Sequence, residues 1–518
     1  MKNCFLKLLI FLVIVGSTLL VIYYAKGYRI NLTDTDNIVV ETGILHLRTE
    51  PSRANFWLSE DFTGRTSRII SSIPAGEYTL DIWLEGYHGI KYDIEIFAQR
   101  STPLSVFLFK EDPIEEIKSE IEGKVLDIHI DNSRHNVLIL VQELQEEEEV
   151  QKDYTVLRYQ TNTRFWQLGN NPSEIFTFST DINSEIEDFS VSNNSKNILL
   201  TISNQQEEIL DENSEFLSAG KHLISLDTQT VLADIADITE KETKWTHDGE
   251  NLLWEDEDSG INKLNLKQPN LPILVYTPPE DTEIIYYDSC TNGEVYVLLK
   301  TQENAYVSLS RVSEDLEESF LVERIYYQNE TRFLKDWKEK NEIPYQSFTN
   351  SPQSTLFVGQ PKEFLISKEN QTILFKTEFA AYMYDIAEDK YVLINPYETE
   401  ILSFSPNGKK IAFLSLENEK LGFFRFDKEE SDYSIELGGN YVANYINKED
   451  CHDFAWHTNS QNIYYTCENA LYATDIRTDG NINVVREFGE KIMLANKDKV
   501  VTLNEEDEVT NIVELTIN

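Results

Sequence analysis

A stretch that gathers metal-ligating side chains is "DCHDFAWH", where Asp450, Cys451, His452, Asp453 and His457 fall within eight residues. Thiolate, imidazole and carboxylate together suit a divalent transition metal. Neighbours along a strand face opposite ways, however, and tetrahedral sites usually draw on spaced pairs. The stretch is therefore expected to be a strand and its turn. Cys451 and Cys467 bound "CHDFAWHTNSQNIYYTC", whose ends fold back opposite each other. A disulfide in an oxidising compartment and two buried thiols are both open readings. Cys290 has no evident partner, Cys4 lies before the apolar run and so in the wrong place for a lipoprotein cysteine, and four cysteines are too few for a disulfide framework. Neither a Gly-x-Ser-x-Gly elbow nor a Walker-type phosphate loop occurs. No catalytic, cofactor-binding or metal residue is assigned, and no cofactor is expected. The acidic run "QELQEEEEV" at 142–150 is expected to be a solvated loop, with weak calcium attraction as the alternative. Asn31, Asn193, Asn329 and Asn370 match Asn-x-Ser/Thr, a motif common by chance.

With 90 acidic against 45 basic residues the formal charge is −45, which argues against nucleic-acid binding. Hydrophobic residues at 41% mark a folding chain, and 26 Tyr with 26 Phe suit pleated, half-buried surfaces. Residues 8–25, "LLIFLVIVGSTLLVIYYA", carry no charge. At helical rise they span about 27 Å, near the hydrocarbon thickness of a bilayer. Lys2 and Lys7 precede them; Tyr23, Tyr24, Lys26, Tyr28 and Arg29 follow. The run ends without the small residues of a cleavage site, so an uncleaved membrane anchor (1–29) is expected over a signal peptide. The positive charges lean narrowly to an amino terminus inside and the bulk of the chain extracytoplasmic. A linker is expected at 30–42.

From 43 to 110 the pattern has period two. Tyr78, Leu80, Ile82 and Leu84 share one face of "YTLDIWLEGY", with Thr79, Asp81 and Glu85 on the other and Trp83 the exception. Ile94 and Ile96 alternate with Asp93 and Glu95. Pro74-Ala75-Gly76 and the Gly86/Gly89 pair supply turns. Strands of this kind joined by turns predict a small β-sandwich. The unit resembles the PEGA domain, through Gly43, "TEPSRANFWL" (49–58), Gly64, Thr66, "PAGEYTL" (74–80) and "EGY" (85–87). It departs where the family often has Gly-Ala (here Arg53-Ala54) and Thr-Pro (here Thr66-Ser67). The resemblance implies an envelope-facing, noncatalytic module that acts as a spacer. An acidic connector (111–123), with some helical character, is expected to follow.

Beyond it, from 124 to 518, one pattern recurs: apolar strand, polar turn, apolar strand. Aligned on the turn, the copies fall at Ser133, Ser195, Gly249, Gly293, Asn370, Gly408, Ser460 and Asp498, a mean spacing of about 52 residues. Many copies add a second hairpin, such as "HLISLDTQTVL". Four strands per copy, each with edges that need covering, predict a seven- or eight-bladed β-propeller. Copies like "SFSPNGKKIAFL" resemble the TolB-type, WD40-like repeats of bacterial envelope proteins. "THDGENLLW" resembles the Asp-box of sialidases but lacks the residue between Asp248 and Gly249, and is expected to be a blade turn. Residues 314–345 have helical spacing and are expected to project as an insertion. The fold class is thus all-β after one transmembrane helix.

These features predict a membrane-anchored extracytoplasmic scaffold whose propeller face binds protein or glycan partners. The alternative is a propeller enzyme, a hydrolase or lyase, with carboxylates or a metal in the central channel.

Overall fold

The computed structural model describes residues 2–30, 39–59, 62–130, 136–144, 151–160, 172–204, 217–234, 242–256, 260–269, 271–290, 292–301, 306–313, 315–328, 348–349, 356–367, 372–386, 390–416, 419–425, 444–446, 450–467, 470–478, 482–487, 492–496, 499–506 and 509–517. The opening run forms helix α1 (Lys2–Ala25). Its side chains are described from Ile10 onward, which leaves sixteen residues, about 24 Å of rise. Among the described residues no helix is long and apolar enough to cross a membrane. The expected 8–25 span is therefore met by a helix but not, over that described length, by a full crossing.

Eight strands follow: β1 (Tyr28–Ile30), β2 (Val39–Glu50), β3 (Asn55–Leu58), β4 (Phe62–Arg65), β5 (Arg68–Pro74), β6 (Gly76–Trp83), β7 (Ile90–Ile96) and β8 (Ser101–Phe107). One sheet joins β1, β2, β5 and β8, and the other runs β4-β3-β6-β7. The alternation places Leu80, Ile82, Ile94 and Ile96 in a single core with Leu45, Leu47, Phe56 and Leu104. The expected linker 30–42 is part of this sandwich at both ends, because Ile30 pairs with Val39 and Tyr28 with Glu41. Strand pairing there consumes the polar backbone groups that a linker would leave to water. Both departures from the family pattern fall on special backbone. Arg53 has φ +71°, in the left-handed region that favours glycine, and the Thr66-Ser67 peptide is cis.

The connector expected at 111–123 is instead a strand, β9 (Ile114–Glu122). It pairs antiparallel with Val509–Thr516, at the far end of the chain, from Glu122↔Val509 to Ile114↔Thr516. Its sequence "IEEIKSEIE" looks like a connector because only Ile121 is buried, while Ile114 and Ile117 are each 58% exposed. Between its partners lie successive sheets, antiparallel except where Leu356–Val358 joins S4 in parallel: S1 (124–181), S2 (184–234), S3 (243–276), S4 (282–328 with Leu356–Val358), S5 (361–395 with Phe348–Thr349), S6 (399–445), S7 (451–487) and S8 (492–516 with β9).

Each sheet is buried on both faces, so its middle strands are continuous apolar runs rather than alternating ones. In S2, Ile198 and Leu200 pack on Leu138 and Leu140 of S1, whereas Leu199 and Leu223 pack on Trp245, Leu252 and Trp254 of S3. The same division repeats through Leu253/Val297 (S3–S4), Leu298/Ile373 (S4–S5), Leu374/Phe413 (S5–S6), Leu414/Trp456 (S6–S7) and Tyr464/Val513 (S7–S8). It closes with Val501 and Ile512 of S8 against Val137 and Ile139 of S1. The innermost strand Lys124–Ile130 touches both Ser184–Val191 and Ile492–Asn496, its neighbours on either side. The cores therefore run in a cycle, which is the architecture of a β-propeller zipped shut by its first and last strands.

The insertion expected at 314–345 is, over its described part, the strand Glu318–Gln328 of S4. Register shifts against its partner at Val307/Leu309 and Leu309/Ser310 break the two-residue period, and the broken period resembled a helix. The remainder, 329–345, lies outside the described residues.

Candidate functional site: the inner edge and turn face of the ring

The aligned turns share one construction. Ser195, Gly249, Gly293, Gly408 and Ser460 all have positive φ, from 55° to 81°. In each, the N–H of this residue donates to the carbonyl three positions earlier: Ser192, Thr246, Cys290, Ser405 and His457. An Asn or Asp one position before it (Asn194, Asp248, Asn292, Asn407, Asn459) accepts the N–H two residues on, at 2.9–3.2 Å. Ser133, Asn370 and Asp498, the other aligned turns, lie outside the described residues. Neighbouring turns are stitched together. Asn194 Nδ2 donates to the carbonyls of Asp248 (3.1 Å) and Gly249 (3.2 Å), His247 N to Ser289 Oγ (2.8 Å), and Asn407 N to Ser460 Oγ (3.1 Å). One rim of the ring is thus a belt of hydrogen-bonded turns. "THDGENLLW" is one of them, with Asp248 Oδ1 accepting from Thr246 Oγ1 at 2.6 Å.

The first strand of seven of the eight sheets, all but S3, carries a bulge, at Val125/Asp127, Ile186/Asp188, Ile284/Tyr286, Pro361/Glu363, Thr399/Ile401, Cys451/Asp453 and Ile492/Leu494. Of the seven residues that follow these bulges, four are acidic: Asp127, Asp188, Glu363 and Asp453. They meet lysines there. Lys244 Nζ of S3 stands 3.4 Å from the centroid of the Tyr286 ring of S4, and 3.6 Å from Glu242. Lys376 Nζ binds Glu363 at 2.7 Å. Burial pushes the Asp288 carboxyl up to about 6, with Glu363 adding to the rise and Lys244 opposing it. Burial lowers Lys244, against the pull of Glu242, Asp288 and Glu363. Burial likewise raises Asp188 and lowers Lys221, two groups that stabilise each other's charge. Side chains from three successive sheets therefore share one half-buried, acid-rich pocket of charge.

The residues singled out from "DCHDFAWH" are spread apart. Cys451 and Cys467 are register partners in S7 and are disulfide-bonded, S–S 2.00 Å. Asp453 Oδ1 accepts the N–H of Phe454. His457 is buried, with Nδ1 accepting from Asn459 N at 3.1 Å and its ring 4.7 Å from that of Phe107. The side chain of His452 lies outside the described residues. Among the described residues no group of three or more His, Cys, Asp and Glu is placed to hold a metal ion. Cys290 is buried and takes the place of the turn hydroxyl, and burial pushes its thiol up.

Sequence reasoning missed the junction between sandwich and ring. Arg477, at the end of the third strand of S7, forks onto Asp475 (Nε–Oδ1 2.9 Å, Nη2–Oδ2 2.6 Å) and donates to Ser105 O of β8 at 2.7 Å. Tyr92 of β7 donates to Asp475 Oδ2 at 2.8 Å. All three side chains are at most 2% exposed. Phe107 and Phe109 complete the core shared by S7 and S8, and Lys110 N donates to Ile517 O at 2.9 Å. At the other end Arg29 donates to Tyr24 O (2.7 Å), Tyr28 O (3.0 Å) and Ser72 Oγ (3.0 Å), fixing the end of α1 to the sandwich.

Residues 42–112 match the PEGA domain family. No curated protein matches the chain. Among solved structures it is similar to a eukaryotic initiation factor (TM-score 0.41, 11% identity, covering 71% of this chain and 90% of that one). It is also similar to prolyl oligopeptidase B from Galerina marginata (TM-score 0.39, 10% identity, 76% of this chain and 55% of that one). A third is an oligogalacturonate lyase in complex with manganese (TM-score 0.35, 9% identity, 78% and 98%). The assignment to a propeller rests on the cycle of cores and the zipped strands, and the PEGA match is confined to the amino-terminal sandwich.

Proposed function

We propose that the chain is a membrane-anchored, extracytoplasmic binding protein. In this reading α1 sits in the bilayer, the PEGA sandwich is a rigid bracket, and the eight sheets are eight blades that present a partner-binding face. The observation that carries the reading is the bare apolar surface of α1. Phe11, Leu12, Val13, Leu20, Val21 and Tyr24 are 58–65% exposed, and such a collar needs an apolar environment. Tyr23, Tyr24, Tyr28 and Arg29 stand where the chain would leave the headgroups, with Arg29 stacked 3.7 Å over Tyr24. The acids at the inner edges (Asp127, Asp188, Glu363, Asp453), on a chain of charge −45, suit a protein partner with basic side chains. Lys221, Lys244 and Lys376 stand among those acids, which fits a recognition surface better than a reaction centre.

Membrane flotation of the full chain and of a variant lacking residues 2–25, each followed by crosslinking capture, tests the proposal. The full chain should float and recover a partner; the truncated chain should stay at the bottom of the gradient. Neutralising Asp127, Asp188 and Glu363 together should lose the partner without loss of flotation. Equal flotation of both chains, or capture indifferent to the neutralised acids, would overturn it.

A further inference from the structure

The one apolar side chain that breaks the polar face of β6, Trp83, has a companion. Trp57 of β3 lies on the same outward face, and the two indoles are 46% and 36% exposed. The pairing fixes their neighbours. One row across the sheet reads Thr63-Trp57-Asp81-Lys91 and the next Arg65-Asn55-Trp83. The two indoles are thus diagonal neighbours, about 8 Å apart at Cα from strand spacing and rise. Every side chain beside them in these rows is polar: Thr63, Asp81 (held by Lys91 at 3.5 Å), Asn55 and Arg65. Thr79 and Asp93, in the following row, are hydrogen-bonded at 2.8 Å.

We propose that this face is a glycan platform, on which Trp57 and Trp83 stack against rings of an extended, neutral polysaccharide. A sugar chain offers what the face lacks: apolar C–H faces for the indoles and hydroxyls for the flanking amide, carboxylate and guanidinium, in alternation. A lipid surface is disfavoured by position. The chain enters from α1 at the end where Thr42 N donates to Gly27 O and Ala75 N to Glu41 O. Trp83 is seven residues along β6 from Gly76, about 23 Å away, and Trp57, opposite Asp81, about 16 Å. A protein partner would seek a broad continuous apolar centre, whereas here the two indoles are ringed by polar neighbours. The site is independent of the inner edge of the ring and stands or falls separately from it.

The test uses the detergent-solubilised full chain with cellohexaose and chitohexaose as probes, read by calorimetry and by tryptophan emission. Trp57→Ala and Trp83→Ala should each weaken binding about tenfold and the double variant abolish it, with the phenylalanine variants in between. Unchanged melting temperatures would show that the loss is local. Neither saccharide binding to the wild type, or binding unaltered by both alanine variants, would overturn the proposal. So would quenching of the Trp57 and Trp83 emission by brominated lipid in reconstituted vesicles, identified by its loss in the double phenylalanine variant.

Discussion

Replacing Arg477 with alanine should uncouple the PEGA sandwich from the ring. The guanidinium makes two buried bonds to Asp475 and a part-buried one to the Ser105 carbonyl, all at 2.6–2.9 Å. Without it the Asp475 carboxylate keeps only the Tyr92 hydroxyl and the N–H of residue 477. Burial, together with that carboxylate, holds the Tyr92 proton well above its ordinary range, so the phenol stays neutral and gives the carboxylate a hydrogen bond but no opposite charge. Breaking one side of a buried pair costs about 3–5 kcal/mol. A unit the size of this sandwich shifts by roughly 4–8 °C per kcal/mol, so its melting should fall by about 12 °C or more. Calorimetry should then resolve an early transition, and amide exchange should quicken in β7 and β8 while S1–S6 stay protected. Tyr92→Phe should do the same more weakly, at about 1.5–3 kcal/mol for a hydrogen bond to a charged group. An Arg477→Ala profile within about 1 °C of wild type, with unchanged exchange over residues 42–112, would refute this account of the junction.

Two further predictions concern the ring. Asp288 is held near 6, above its ordinary 3.8, so between those values the folded chain binds more protons than the unfolded one. Its contribution to stability therefore falls as pH rises through that window, reaching about 2–3 kcal/mol of destabilisation above it. Asp288→Asn should stabilise the chain at pH 8 and leave it unchanged near pH 3.5; denaturant melts at both pH values decide, and no gain at pH 8 counts against the burial. Gly249 and Gly408 both have positive φ, at 67° and 70°, but a Cβ on Gly249 would meet Asn194 at 2.8 Å whereas one on Gly408 meets nothing within 4 Å. Gly408→Ala should cost about 1 kcal/mol and Gly249→Ala about 2–4; equal losses in denaturant melts would show that the turns are not stitched across sheets.

What the sequence discloses follows from where burial imposes a pattern. The sandwich was legible because Leu80/Ile82 and Ile94/Ile96 face one core while Asp81, Asp93 and Glu95 face outward. The repeat was legible because a left-handed residue recurs in each of the five described turns, whether glycine (249, 293, 408) or serine (195, 460). β9 was not, since an outer strand with one buried residue owes its conformation to backbone pairing with residues nearly four hundred positions away. Glu318–Gln328 was misread because bulges shift the period that distinguishes strand from helix. Tyr92, Asp475 and Arg477 escaped notice for a different reason: nothing in "TDIRTDG" marks a carboxylate that will be buried under a domain 383 residues upstream. The inner-edge charges likewise become a group only once the sheets are set in a circle.

Closure of that circle is the claim on which the rest depends, and a disulfide trap between β9 and the last strand tests it most directly. Glu120 and Asn511 are register partners. Glu120→Cys with Asn511→Cys, oxidised in the full chain and mapped by mass spectrometry, should crosslink within one molecule, whereas Glu120→Cys with Glu505→Cys should not. Crosslinking between molecules only, or equal trapping of both pairs, would mean that the strand is not zipped and the ring is open.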